Sequence, residues 1–345
     1  ETMASNNSTQ TDMVLFKDGY DIPLYGLDNG MFYYIHVTDI VCLTMSLTCA
    51  LATIISSFWS HPDDGFYTGW TKGERLAVYM SICDLLLNIS LLMNHLHILI
   101  TKTHTRPKEL CVFFGFIMTE FVLAQLLMVN VVAINIFSTT FFSTKYSFGK
   151  FDRGILLWTF GVPCIGALIA AMLDQFGPAE IACFFDPING RVASLVLITI
   201  PLTAIMGVNV LLYILTFIKI RIDIRAVRKS LGNMGSTTER HIKAGRKMSM
   251  FVVAFFIQWF SFGLIGVWFM IADDVADIPK VLKHVVGIFT NLGGVLNLII
   301  YLAVFRKTRP NMAASMNSQN THMVSYNNKN RPTRFVQRNE EFEFN

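Results

Sequence analysis

Between Cys111 and Thr139 the chain reads CVFFGFIMTEFVLAQLLMVNVVAINIFST, 29 residues with one acidic or basic group, Glu120. A helix rises about 1.5 Å per residue, so roughly 20 such residues cross a hydrocarbon core of about 30 Å. Lipid offers no hydrogen bonds, and a spanning segment must satisfy its own backbone, which a helix does. The stretch is therefore predicted to be a membrane-spanning helix. Glu120, Gln125 and Asn130 are too costly to face lipid tails, so this helix is expected to stand in the middle of a bundle.

Working outward, the same composition recurs. Of 345 residues, 53% are hydrophobic and 15% charged, against about 25% charged in a soluble domain; the mean hydropathy is +0.47. The fold class is an all-α membrane protein. Apolar runs predict spans at about Met31–Trp59, Arg75–Ile100, Cys111–Thr139, Gly154–Met172, Arg191–Ile220, Met248–Ala272 and Val281–Phe305, seven in all, with a kink at Pro201. Residues 1–30 read as a short disordered tail without the apolar core of a cleavable signal, leaving targeting to the first span. Asn6 and Asn7 open two overlapping sequons there, glycosylation acceptors if this end is exoplasmic. Residues 31–309 form the bundle, and 310–345 turn to Asn, Ser, Lys and Arg, a second disordered tail.

Lys and Arg set the orientation. With the N-terminus outside, 17 of the 28 basic residues fall on inside loops and the adjacent tail, nine of them in the long loop Lys219–Lys247, and 7 fall outside. The N-terminus is expected outside and the C-terminus inside, in a multi-pass protein of the plasma membrane.

Cys111 and Cys183 then share the outer side, where oxidation is permitted. A bridge would pin the loop Leu173–Gly190 over the bundle mouth; two free surface thiols are the alternative. Asp84, Gln125 and Asn297 lie at similar mid-membrane depth. They read either as a switch centre able to hold a proton or an ion, or as a structural hydrogen-bond knot between helices. Nearer the outer face, Asp39, His95, Glu120, Phe184 and Trp259 are the candidate ligand contacts, although a hydrated rim position suits Asp39 and Glu120 as well. Trp259 is the one aromatic of its helix suited to a cavity floor. On the inner side, Ile220, Ile224 and Val227 have helical spacing, with Arg221, Arg225, Arg228 and Lys229 around them. This predicts a basic amphipathic continuation of the fifth span, facing a protein partner or anionic headgroups; Arg246 and Lys247 flank the same opening.

No His-Glu-x-x-His or Gly-x-Ser-x-Gly element is present, so the chain is not expected to be an enzyme or to need a cofactor. A transporter would show related halves or paired helix breaks, and neither is visible. Nothing suggests nucleic-acid binding.

Over roughly Met31 to Pro310 the chain resembles the G-protein-coupled receptors. Ser81-Ile82-Cys83-Asp84-Leu85-Leu86 is similar to their Leu-Ala-x-x-Asp-Leu, and Asn297-Leu298-Ile299-Ile300-Tyr301 to Asn-Pro-x-x-Tyr with Leu298 in place of proline. Asn135-Ile136-Phe137 stands where Asp-Arg-Tyr would end the third helix. Gly161-Val162-Pro163, Cys183-Phe184-Phe185-Asp186 and Gly294 before Asn297 are closer in look to the cyclic-AMP-receptor-like and secretin/adhesion-like branch. The resemblance implies an extracellular ligand, a heterotrimeric G protein as transducer, and arrestin and a receptor kinase as further partners. It also implies that Tyr301 joins the Asp84 centre, and that Asp84 can hold sodium. The G-protein contact would fall on Ile220, Arg221, Ile224, Arg225, Val227, Arg228, Arg246 and Lys247. A small-solute transporter or channel is the alternative.

Overall fold

A computed structural model describes residues 17–62, 65–142, 150–231, 236–271 and 278–303. The sequons at Asn6 and Asn7 and the tail 310–345 lie outside them. The chain is helical almost throughout: α1 (Phe32–Trp59), α2 (Lys72–Thr101), α3 (Lys108–Phe142) and α4 (Arg153–Met172) precede a two-stranded hairpin, β1 (Phe176–Ala179) and β2 (Ala182–Phe185). Then follow α5 (Arg191–Ser194, the π turn Leu195–Thr199 and Ile200–Leu231), α6 (Ser236–Ile271), α7 (Lys280–Thr290) and α8 (Gly293–Tyr301). Among the described residues, five helices are long and apolar enough to cross a membrane, or six if α7 and α8, bent by 40°, make one span; a shorter apolar helix covers Val252–Trp268 within α6.

α1 shows how the bundle is ordered. Its buried face is Phe32, Ile35, His36, Asp39, Leu43, Ser46, Ala50, Thr53 and Ser57, a stripe at steps of three and four residues that carries most of the helix's polar groups. Val37, Val41, Met45 and Ile55 point outward and are exposed. In lipid the outside can be greasy, so pattern is set by where polar groups must hide rather than by where apolar ones must. Thr44, Thr48, Thr53 and Ser57 return their hydroxyls to the carbonyl four residues back at 2.7–3.0 Å, which keeps those donors satisfied without water.

α3 is the hub, packed against α2, α4, α5, α6 and both strands. Two prolines shape their helices through π turns. Leu157–Gly161 precedes Pro163 and Leu195–Thr199 precedes Pro201. Proline lacks an N–H and its ring strikes the carbonyl four residues back; a widened turn removes the clash. The kink anticipated at Pro201 thus takes the form of a π turn, and Pro163 has its own.

Three expectations change. The expected continuation of the fifth span is present, α5 running to Leu231, but the rest of the loop Lys219–Lys247 is also largely helix, since α6 starts at Ser236 rather than at Met248. Glu239, Arg240, Lys243 and Ala244, after the Ser-x-x-Glu spacing at Ser236–Glu239, favour the longer α6 despite Gly245. The last span is broken at Asn291–Leu292 rather than continuous. Residues 17–31, expected to share the disorder of 1–30, are seated on the hairpin end: Tyr25 N donates to the Glu180 carbonyl (3.2 Å), His104 Nε2 to the Ile22 carbonyl (2.7 Å) and Tyr20 Oη to the Thr105 carbonyl (3.1 Å). Leu24 and Phe32 bury against Ile98, apolar area that offsets the ordering entropy.

At the opposite end Arg75 grips Asp152. Its Nε donates at 2.7 Å and its Nη2 at 3.1 Å to the two carboxylate oxygens, and its Nη1 donates to the Trp70 carbonyl at 2.7 Å. Both side chains are buried. Thr71 and Glu74 form a capping box that starts α2 at this point.

Candidate functional site

Cys111 and Cys183 are bonded, with Cα atoms 5.2 Å apart. The bridge ties β2 to the first turns of α3, where Gly115 lets the hairpin come close. A Cβ there would stand 2.9 Å from both the Phe176 ring and the Phe184 carbonyl oxygen. Asp186, just after β2, accepts N–H bonds from Gly19 (2.8 Å), Ile188 and Asn189 (both 2.9 Å). It thereby clamps the N-terminal segment to the start of α5. Glu180 in the hairpin turn forms an ion pair with Lys283 of α7, and the Lys283 ammonium also lies 4.8 Å from the Tyr25 ring centre. Burial, then the Glu180 carboxylate, push the Tyr25 hydroxyl above its usual value.

Beneath this cover is a cavity of ≈200 Å³. Its walls are mainly apolar, with Leu91 of α2, Met118 of α3, Phe184 of β2 and Phe262 and Ile265 of α6 among them. Asp39 and His95 supply a polar pole together with Asn291. The Asn291 amide faces Asp39, whose Oδ2 is 3.8 Å from His95 Nε2. His95 Nδ1 is 2.9 Å from His36 Nδ1, so one of the two rings must donate to the other.

Of the five expected ligand contacts, Asp39, His95 and Phe184 line the cavity and two do not. Glu120 sits two residues from Met118, about 200° around the helix, and is buried within the bundle instead. Trp259 is one turn deeper than Phe262, packed edge-on to it with ring centres 5.8 Å apart, and is only 1% exposed.

Below the cavity, Gln125 Nε2 donates to Asp84 Oδ1 at 2.9 Å and Asn297 Nδ2 donates to Asp84 Oδ2. The three residues expected to share a depth therefore share hydrogen bonds. Tyr301 does not join them. One turn further along α8, its hydroxyl is 3.4 Å from Ser60 Oγ. Sequence reasoning missed Gln258, whose amide faces Asp84 and also donates to the Thr290 carbonyl at 3.3 Å. It also missed Ser46, whose hydroxyl accepts from Asn88 Nδ2 and from Gly294 N, both at 2.9 Å.

These last contacts explain the break between α7 and α8. Helix ends leave carbonyls and N–H groups unpaired; here Gln258 takes the Thr290 carbonyl and Ser46 takes the Gly294 N–H. Gly294 also has to be glycine, since a Cβ would overlap the Ser46 backbone. The break lies between the cavity, which it touches through Asn291, and the Asp84 centre, which it touches through Gln258 and Asn297.

In the C-terminal half of α5, Arg221 and Arg225 are exposed, Arg221 lies over the Phe217 ring at 4.4 Å, and Ile220 is half-buried. Ile224, Val227, Arg228, Arg246 and Lys247 fall in α5 and α6, but their side chains lie outside the described ones. The chain matches no protein-family model and no curated protein.

Proposed function

We propose that the chain is a seven-helix receptor of the plasma membrane, N-terminus outside, that binds an extracellular ligand in the covered cavity and activates a heterotrimeric G protein inside. One observation carries this reading: the break at Asn291–Leu292 contacts the cavity on one side and the Asp84 centre on the other. A ligand with different affinity for two arrangements of α7 and α8 biases the buried centre accordingly. The distribution of Lys and Arg supports the orientation, and the bonded Cys111–Cys183 pair suits the oxidising side. Purified protein should accelerate nucleotide exchange on a G protein in a ligand-dependent way; no exchange with any ligand that occupies the cavity removes the proposal.

The broken span also favours the second reading, a small-solute transporter or channel, because half-helices beside buried carboxylates are a device of transporters. Solute flux in proteoliposomes without nucleotide exchange would support that reading instead.

Two substitutions follow from the receptor reading. Asp84→Asn keeps the shape of the centre but removes its charge, and should change basal signalling or its dependence on sodium; a variant that signals like the parent across sodium concentrations makes the centre structural. Replacing Ile224 and Val227 by Ser, with every charge retained, should reduce coupling at least tenfold at normal surface expression, because a partner helix or groove reads the apolar stripe. If only Arg→Gln changes matter, at about 1 kcal/mol per basic residue near the surface, the segment is a membrane anchor.

A further inference from the structure

We infer that the cavity takes a small cationic amphiphile, a protonated amine on a compact apolar body, with the amine on Asp39. The inference rests on the receptor reading only for the side from which the ligand arrives. The cavity is smaller than the roughly 300–1,000 Å³ of sites for drug-sized molecules, which restricts the ligand to a small molecule. Leu91, Met118, Phe184, Phe262 and Ile265 take its apolar part.

Charge accounting supplies the rest. Three carboxylates line the cavity: Asp39, Glu180 and Asp186. Glu180 is committed to Lys283, and Asp186 already accepts three backbone N–H groups. Asp39 differs. It is 3% exposed and faced by the neutral Asn291 amide. His95 Nε2 at 3.8 Å is beyond hydrogen-bond range, and that ring is already engaged with His36. A carboxylate offers about four acceptor positions, and a buried one is costly until donors fill them. A ligand ammonium brings up to three donors and a full positive charge to Asp39, beside which stand the neutral Asn291 amide and the His95 ring; the cations of the lining are Lys283, paired with Glu180, and Arg191 at the start of α5. A neutral or anionic head leaves Asp39 as it is or repels it. Gly287 leaves room for that group on the cavity wall, since a Cβ there would stand 2.5 Å from an Asp39 carboxylate oxygen.

The test uses three matched probes on purified protein in nanodiscs, read by saturation-transfer NMR: 2-phenylethylamine, 2-phenylethanol and phenylacetate. The amine should bind at least tenfold more tightly than either partner. Asp39→Asn should reduce it to the level of the alcohol, and Asp39→Glu should keep most of the preference. Equal binding of alcohol or carboxylate, absence of amine binding at millimolar concentration, or undiminished amine binding by folded Asp39→Asn overturns the inference. Should Asp39→Asn not fold, Ile265→Trp, which fills the cavity from α6, decides: loss of the amine preference supports the site and its persistence overturns it. Amine binding through Asp39 without nucleotide exchange removes the receptor reading and leaves the ligand class standing. Exchange evoked by an uncharged ligand does the reverse.

Discussion

Arg75→Ala should destabilise the protein by about 3–5 kcal/mol, because it strands the buried Asp152 carboxylate without its cation. The bidentate geometry is what makes the effect large. Two N–H bonds from the guanidinium meet the two oxygens of Asp152 while a third bond holds the Trp70 carbonyl, and Tyr79 adds a hydroxyl at 3.3 Å. Arg75→Lys keeps the charge but cannot reproduce the fork, so it should recover only part of the loss. The double variant Arg75→Ala with Asp152→Ala should be less damaging than the two single effects added together, since it leaves no buried charge behind. Thermal unfolding of detergent-purified protein measures all four. A melting midpoint for Arg75→Ala within error of the parent would show that the pair is relieved by solvent and carries no weight. The pair also joins the start of α2 to the segment before α4, so its loss should loosen the end of the bundle that faces the proposed transducer.

Cys183→Ser should be the second large perturbation. The bridge closes a separation of 72 residues, for which the chain-entropy model gives roughly 4 kcal/mol. More than stability depends on it. The hairpin is held down by Cys183, by the Asp186 clamp and by the Glu180–Lys283 pair. Without the first of these, the roof of the cavity keeps the two polar clamps and the packing of Phe176, Phe184 and Phe185 against the bundle, but loses its one covalent tie. Surface expression should fall, and the protein that reaches the surface should lose ligand-evoked responses while Cys49→Ser, in α1, leaves them unchanged. Peptide mapping without reduction checks the premise. A Cys111 peptide found free in folded surface protein would contradict the structure, and a Cys183→Ser variant with normal expression and response would make the bridge dispensable.

How far each feature could be read from the chain depends on its range of interaction. The helical class, the placement of most helices and the central position of the Cys111–Thr139 helix follow from local composition, since a backbone in lipid has no alternative to internal hydrogen bonding. Asp84, Gln125 and Asn297 could be matched by depth alone: each sits midway along an apolar run, and polar groups at one depth in a bundle find each other. Pro201 announced a distortion, because the missing N–H is a property of the residue itself.

Other features had no local signature. The Arg75–Asp152 pair joins residues 77 apart, and each alone looks like an ordinary charge at a helix end. Met118, Glu120, Trp259 and Phe262 differ in function by a rotation or a turn of helix, which only packing against neighbours sets. The break at Asn291–Leu292 is stable because Gln258 and Ser46, from α6 and α1, satisfy the backbone groups it frees; glycines at 293 and 294 permit the break, but nothing nearby in sequence requires it. Composition and depth thus determined that this chain is a helical membrane bundle with a polar interior. Tertiary packing alone decided where the bundle encloses a cavity and how that cavity meets Asp84, because both depend on which helix faces come together.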